Sequence, residues 1–262
     1  MNKKIFFCID TAESIFTAIY DAWSSRFGHN NIEIKVLSAG NQGNMELFCE
    51  YIYVLEDEEK VKKVIKTIRD KISAQGLEVV LKAACSCDVD KADAIYRFLI
   101  IGFAMGKSVL DYTTHEAVLK IFNMNRNVGN ETHHYLGFTR FMEIENKILI
   151  GKVTPKNDII RLMAPHFADR LGMENFIIYD ENRKTAIVYR SGYPWVYTNA
   201  EDFDLDVFSD GTKEQLEFEK LWKTFFDTIA ISERKNPKLQ RNNIPFRYRN
   251  DMLEFNTKSE DE

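Results

Sequence analysis

The sequence lacks a long apolar segment. No apolar run in the 262-residue chain approaches the roughly 20 residues that a helix needs to cross a bilayer. The apolar run in "NKKIFFCID", after Met1, is much shorter than the hydrophobic region of a signal peptide and has no small-residue cleavage site. We therefore expect a cytoplasmic protein with no membrane contact.

Cysteine is scarce, and its spacing excludes the common redox and zinc motifs. The chain has four cysteines, Cys8, Cys49, Cys85 and Cys87. Cys85 and Cys87 are one residue too close for a redox C-x-x-C pair, and no second pair completes a zinc site. We expect buried, reduced thiols, and no metal or cofactor bound by the chain itself.

The usual signatures of nucleotide-binding proteins and hydrolases are also absent. The sequence has no Walker loop, no G-x-G-x-x-G after a strand, no G-x-S-x-G elbow and no H-E-x-x-H. The aspartate runs that begin at Asp88 and Asp202 lack the glycine and the closing glutamate of an EF-hand loop. Individual polar residues are therefore the remaining guides to function.

Charged residues are about as frequent as in other globular proteins, but they are unevenly distributed along the chain. Charged residues make up 29% of the chain and the net charge is −5. Eight acidic and two basic residues lie between positions 201 and 220, whereas six basic and one acidic residue lie between 233 and 249. The negative net charge argues against a wholly basic nucleic-acid binder. The basic segment 233–249 can still contact phosphate.

The hydrophobic pattern predicts an α+β fold with a helix-rich middle. A strand and a Thr11-capped helix begin the chain, and the pattern is mostly helical from Asp57 to Gly137. A period of two then predicts two hairpins, turning near 145–146 and 180–182, on either side of a helix that Pro165 kinks or breaks. This ββαββ unit predicts an antiparallel sheet covered by a helix.

The end of the chain predicts an amphipathic helix over 214–235, then a basic segment and a frayed tail at 256–262. No repeat or long linker interrupts the sequence. We expect a single α+β domain over 1–262, with a separate small lobe at 1–56 as the alternative.

The stretch "ETHHYLGFTRF" offers the first candidate site. His133 is a candidate acid or base, with Glu131 to orient it and Arg140 to stabilise charge. His133 and His134 point to different helical faces, so we expect at most one of them in a given pocket. A metal is not expected, because the Glu-x-x-His of di-iron bundles needs a second copy. The plainer interpretation is a histidine hydrogen-bonded at a helix end.

The stretch "APHFADR" offers a candidate anion site. His166 and Arg170 are four residues apart and share a helical face, where they can hold a phosphate or a carboxylate. An inward-facing Arg140 would need an anionic partner or ligand, so we expect Arg140, His166 and Arg170 to line one pocket for an anion or a nucleotide. The alternative is a solvated helical face or a surface salt bridge.

The basic segment "ERKNPKLQRNNIPFRYR" has the composition of a nucleic-acid contact. Basic groups bind phosphate, amides and guanidiniums read base edges, and aromatic rings stack on bases. The candidate DNA contacts are Arg234, Asn236, Gln240, Arg241, Arg247, Tyr248 and Arg249. The alternative is a solvated turn that packs Pro245 and Phe246 on the protein and pairs its arginines with the acidic run before it.

These stretches resemble an uncharacterised bacterial family to which DNA metabolism or DNA repair has been ascribed. Its members accompany a radical-SAM protein, and relatives are fused to a uracil-DNA-glycosylase-like domain. The matching residues are Glu131, His133, Gly137, Phe138, Arg140, Phe141, His166, Phe167, Arg170, Leu221, Trp222, Ile229, Arg234, Asn236, Pro237, Pro245 and Tyr248. The resemblance implies that His133, rather than His134, is the family histidine.

Three functional hypotheses follow. The preferred one, implied by the resemblance and the basic segment, is a DNA-binding accessory protein that works with a radical-SAM partner in DNA repair or modification. The chain lacks the cysteine cluster of a radical-SAM enzyme, so the partner would carry any iron–sulfur cluster. The alternatives are an enzyme that acts on a damaged base or nucleotide through His133, and a partner-binding scaffold without chemistry of its own.

Overall fold

The computed structural model describes residues 3–37, 47–144 and 147–201, and then residues 221–222, 224–225, 228, 234, 236–249, 252 and 255. Helices and strands both occur throughout these residues, so the predicted α+β class is confirmed. The chain divides into two compact units, residues 1–130 and 131–262. None of the helices in the described residues is both long and apolar enough to cross a membrane.

The first unit combines a small parallel sheet with the predicted helix-rich middle. Its elements are β1 (Lys3–Cys8), α1 (Ala12–Ser24), β2 (Ile32–Val36), β3 (Cys49–Tyr53), α2 (Glu58–Lys71), α3 (Ala74–Ala84), α4 (Lys91–Met105) and the start of α5 (Glu116–Phe138). The sheet order is β2-β1-β3, with both pairs parallel. Thr11 caps α1 as predicted, because its hydroxyl accepts a 3.0 Å hydrogen bond from the Ser14 amide.

The segment 1–56 shares its core with the helices that follow it. Phe6, Ile15 and Ile32 belong to one buried hydrophobic cluster with Val80 and Phe98. A parallel sheet must be covered by apolar elements, and the helices after residue 56 supply them here. The segment that could form a separate lobe is therefore part of a larger unit in this structure.

The second unit is built on a five-stranded sheet. Its elements are β4 (Phe141–Ile144), β5 (Ile148–Val153), α6 (Ile160–Arg170), β6 (Asn175–Asp180), β7 (Thr185–Tyr189), β8 (Val196–Asn199), α7 (Pro237–Asn243) and α8 (Phe246–Arg249). The strand order is β4-β5-β6-β7-β8. β5 and β6 are parallel, because α6 connects them as a crossover, so the prediction of a wholly antiparallel sheet is wrong at this pair.

The helix between the hairpins also differs from its prediction. α6 runs without a break through Pro165, and it begins after Ile159 without a side-chain cap. Asn157, which precedes the helix and is of a type that often caps one, donates from its side chain to a buried carboxylate that is described below. Of the predicted turns, residues 181–184 join β6 to β7, whereas residues 145–146 lie outside the described residues.

The cysteines were expected to be buried and reduced. All four are free, but only Cys8 is buried and Cys87 is exposed, so the expectation of buried thiols is wrong for Cys87. The amphipathic helix predicted over 214–235 falls largely outside the described residues, and the tail at 256–262 falls wholly outside them. In the basic segment, the Asn236 side chain caps α7 by accepting from the Leu239 amide at 3.0 Å.

Candidate anion-binding site

A cavity of about 500 Å³ lies in the second unit, between the end of α5 and α6. The lining residues are His133, His134, Leu136, Gly137, Phe138, His166 and Arg170. Three of the five histidines in the chain therefore meet here, together with one arginine and no acidic side chain among the described lining residues. The volume lies within the range of small-ligand sites, and the polar groups favour an anion.

Two adjacent histidines contribute to this cavity, which the sequence did not predict. His133 is exposed and His134 is half-buried. Successive side chains on a helix are about 100° apart, so a cavity that spans about a third of the circumference reaches both. The expectation that at most one would enter a given pocket is wrong.

His134 belongs to an aromatic cluster that forms one wall of the cavity. Its ring stacks on Phe138, with centroids 5.6 Å apart and planes at 12°, and meets the edge of the Tyr248 ring at 5.1 Å. Burial, followed by the charges of Arg247 and His133, lowers the pKa of His134 below its ordinary 6.5. The imidazole is therefore largely neutral at neutral pH.

The phenol of Tyr248 joins this imidazole to Arg247. The Arg247 guanidinium donates to the Tyr248 oxygen, since a guanidinium has no acceptor. His134 Nδ1 lies 3.2 Å from the same hydroxyl and is hydrogen-bonded to it. The hydroxyl thus holds the imidazole in the cavity wall.

Glu131 has a positioning role, not the predicted role beside His133. Its carboxylate is 2% exposed and accepts from the backbone amides of Lys156 at 3.2 Å and Asn157 at 2.8 Å. The Asn157 side chain and Arg247 Nη1, 3.4 Å away, also contact it. None of its hydrogen bonds within the described residues goes to His133, so the carboxylate holds the loop before α6 and the C-terminal segment in place.

Arg140 lies in the connection between α5 and β4. Its guanidinium donates to the carbonyl oxygens of Gly137 at 2.9 Å and Thr139 at 3.4 Å. A cation there stabilises the C-terminal end of the helix. Arg140 and Glu131 are not among the described lining residues, so this cavity does not bring Arg140 together with His133 or with His166 and Arg170. The anion pair His166 and Arg170 is found with His133 and His134 instead.

The candidate DNA contacts divide into an exposed and a packed group. Arg234, Gln240 and Arg241 are exposed, and Asn236 is exposed although its side chain caps α7. Arg234, Gln240 and Arg241 are therefore open to a ligand from solvent. The basic segment thus begins with side chains that suit the predicted phosphate and base contacts.

The last three candidates have contacts inside the protein, although Arg247 is itself exposed. Tyr248 is fully buried and packs edge-on against Tyr135 at 5.1 Å, so its ring has no free face for a base. Arg249 Nε donates to the Ile244 carbonyl at 3.1 Å, and its guanidinium lies 4.6 Å from the Phe246 ring centroid. Tyr248 therefore packs the segment on the protein, whereas Phe246 is exposed. Nearly all of the acidic run that the alternative would pair with these arginines lies outside the described residues.

A family model matches most of the second unit and the end of the first. The model of DUF4130, described as a domain of unknown function, matches residues 89–254. The chain belongs to the DUF4130 family. The cavity lined by His133, His134 and His166 is called the histidine cavity below. The match includes every residue that lines it, and both short C-terminal helices. No curated protein matches the sequence.

Two residues of the histidine cavity, His134 and Phe138, are not among the site residues that the sequence predicts. Their spacing of four places them one above the other on a helix. Within the described residues, no group of three or more histidine, cysteine, aspartate or glutamate side chains is arranged to hold a metal ion. The polar side chains in the described lining are three imidazoles and one guanidinium.

Proposed function

We propose that this DUF4130 protein binds nucleic acid as an accessory protein of DNA repair or modification, and that its histidine cavity receives a phosphate or an extruded nucleotide. The observation that supports it most is the meeting of His133, His134, His166 and Arg170 around one cavity. The exposed cations Arg234 and Arg241 add a second contact region for phosphate.

The side chains of the cavity suit this ligand. Arg170 carries a permanent charge and can donate two parallel hydrogen bonds to phosphate oxygens. The imidazoles of His133 and His166 add N–H donors, and the half-buried Phe138 offers apolar surface to a base. A flipped nucleotide needs both kinds of contact, because its base leaves the stack while its phosphate stays charged.

We also propose a radical-SAM protein as the partner, on the resemblance alone. The chain lacks the cysteine cluster of a radical-SAM enzyme, so the partner would supply any iron–sulfur cluster. The amphipathic helix over 214–235 stays part of this proposal. Leu221, Trp222 and Phe225 fall in it, and their exposure is what an apolar docking residue would need before the partner binds.

The DNA affinity of a variant that lacks two polar side chains of the cavity tests the proposal. Fluorescence anisotropy with single-stranded, duplex and mismatched DNA compares the wild type with His166→Ala/Arg170→Ala. We expect the double variant to bind an unpaired base about tenfold or more weakly, as for the loss of a charge-assisted hydrogen bond. The control is Arg161→Gln, also on α6, whose guanidinium packs 3.8 Å from the Tyr197 ring centroid. Equal affinity of the double variant and the wild type would refute the cavity's part.

The second candidate function is an enzyme that uses His133 as acid or base. The exposure of His133 at the cavity favours it. Arg170 would then stabilise charge in place of Arg140, and neither Glu131 nor Arg140 would take part. The enzyme hypothesis requires turnover of a damaged base or nucleotide that varies with pH and is lost in His133→Ala. Turnover that survives this substitution would exclude His133 from the chemistry.

A further inference from the structure

We propose that the first unit contains a separate binding site for a nucleoside phosphate. A cavity of about 610 Å³ lies among α1, α2 and α4. Its lining combines aromatic rings with cationic side chains and includes no carboxylate among the described residues. This inference does not depend on the proposed function, because every lining residue belongs to residues 1–130.

The aromatic part of the cavity includes Trp23, Phe27 and Phe103, and Tyr20 and His29 also belong to the lining. The rings of Trp23 and Phe103 meet edge to face with centroids 5.1 Å apart. Trp23, Phe27 and Phe103 are only partly buried, so they leave apolar ring surface open to a ligand. Such rings bind planar bases by stacking, largely without regard to base identity.

The cationic part comes from Arg26, Lys63 and Lys71, all of which are exposed. None of the three forms an ion pair with another described residue. The nearby carboxylate of Asp21 is instead taken by Lys60, whose Nζ lies 2.7 Å from Oδ1. The three cations are therefore available to an anionic ligand.

The two parts lie within reach of one small molecule. Lys71 Nζ is 5.6 Å from the centroid of Phe103. A ring stacked against Phe103 or Trp23 would thus place an attached phosphate beside a lysine. A nucleoside phosphate joins a planar aromatic ring to a compact negative charge, and its size suits a cavity of this volume.

The backbone after α1 positions the third cation. Arg26 has a φ of 52° and Gly28 a φ of 89°. Glycine adopts this region freely, whereas an arginine does so at a steric cost. Arg26 thus occupies a backbone conformation that favours glycine, and it places a positive charge at the cavity that glycine could not supply.

Tryptophan fluorescence provides the test. The chain has three tryptophans, so Trp195→Phe with Trp222→Phe leaves Trp23 as the reporter in the full-length protein. We titrate AMP, GMP, CMP and UMP, and separately adenosine and inorganic phosphate. We expect at least one monophosphate to quench Trp23, and to bind more tightly than adenosine or phosphate alone, because both halves of the site are then occupied.

Matched charge variants on α2 show whether the cavity is the site. Lys63→Ala/Lys71→Ala should weaken binding about tenfold or more. Lys62→Ala/Lys66→Ala removes the same charge from the same helix outside the cavity lining and should leave binding unchanged. Absence of quenching by all four monophosphates, equal losses in both double variants, or equally tight binding of adenosine or phosphate alone would each overturn the proposal. Alanine is the best helix former, so α2 is retained in both variants.

Discussion

His134 Nδ1 and the phenol oxygen of Tyr248 lie 3.2 Å apart although the two residues are separated by 114 positions in the sequence. Within the second unit, this hydrogen bond ties the end of α5 to α8. The Arg247 guanidinium donates to the same phenol and approaches Glu131 as well. A change at Tyr248 therefore acts on the cavity wall and on the C-terminal segment together.

Tyr248 is expected to stabilise the protein through both its ring and its hydroxyl. Tyr248→Phe keeps the packing against Tyr135 but removes two hydrogen bonds, so we expect a loss of about 1–2 kcal/mol in the free energy of unfolding. Tyr248→Ala also leaves a cavity, which should cost about 3–5 kcal/mol. Urea denaturation measures both, with the exposed Tyr193→Phe as control. A Tyr248→Ala protein as stable as the wild type would contradict the anchoring role.

Glu131 is expected to matter for stability and not for chemistry. Glu131→Gln keeps the side-chain shape but removes the charge that faces Arg247 and leaves an amide group opposite the donors of Lys156 and Asn157. We expect a loss of about 1–3 kcal/mol in the free energy of unfolding. The exposed Glu174→Gln is the matched control and should change stability by no more than about 0.5 kcal/mol. A folded, equally stable Glu131→Gln protein that had lost turnover would instead restore the catalytic assignment.

Local sequence pattern predicted what depends on local spacing. The α+β class, the cap at Thr11 and the shared face of His166 with Arg170 follow from periods of two and 3.6 and from capping chemistry. A hydrophobic period of two indicates a strand but does not show which other strand it pairs with. The parallel pairing of β5 with β6 therefore could not be read from the pattern.

The errors in the site arose where a polar side chain is satisfied by a distant partner. Glu131 meets Arg247 and Asn157, and Tyr248 is buried against α5, contacts that span many positions and leave no local trace. Arg140 was misplaced because α5 continues to Phe138, so its guanidinium bonds helix carbonyls. Residue types indicated the chemistry, whereas tertiary contacts decided which side chains were free to use it.

The titration of His134 should make stability depend on pH. Its pKa in the folded protein is lowered below 6.5, chiefly by burial and then by Arg247 and His133, while Glu131 opposes the shift. The unfolded chain, with the ordinary pKa, then binds more protons than the folded one. The stabilisation is therefore complete above pH 6.5 and is lost as the pH falls through the folded pKa.

Urea denaturation between about pH 8 and about pH 5 measures this dependence. His134→Gln should flatten the fall in stability on the acid side, whereas His115→Gln, an exposed histidine of the first unit, should not. Direct NMR titration should place the His134 pKa below 6.5, and Arg247→Gln should raise it part of the way back, since burial remains. A wild-type His134 pKa above 6.5 would contradict the buried, tyrosine-bonded imidazole.

The exposed arginines of the basic segment are the better test of DNA contact. Arg247 and Arg249 are tied to Tyr248, Glu131 and Ile244, so their removal would mix lost folding with lost binding. Arg234→Gln/Arg241→Gln should leave stability within about 0.5 kcal/mol of the wild type. If both contact phosphate, the slope of log affinity against log salt should fall by about 2 on duplex DNA.

Anisotropy titrations over a range of salt concentrations give that slope directly. The charge-matched control is Arg161→Gln/Arg190→Gln, two arginines of the same unit whose guanidiniums pack over Tyr197 and Tyr193. The control should keep the wild-type slope, because counterion release depends on which cations meet the DNA and not on net charge alone. An unchanged slope in Arg234→Gln/Arg241→Gln would remove this end of the basic segment from the DNA interface and leave the histidine cavity as the remaining contact to test.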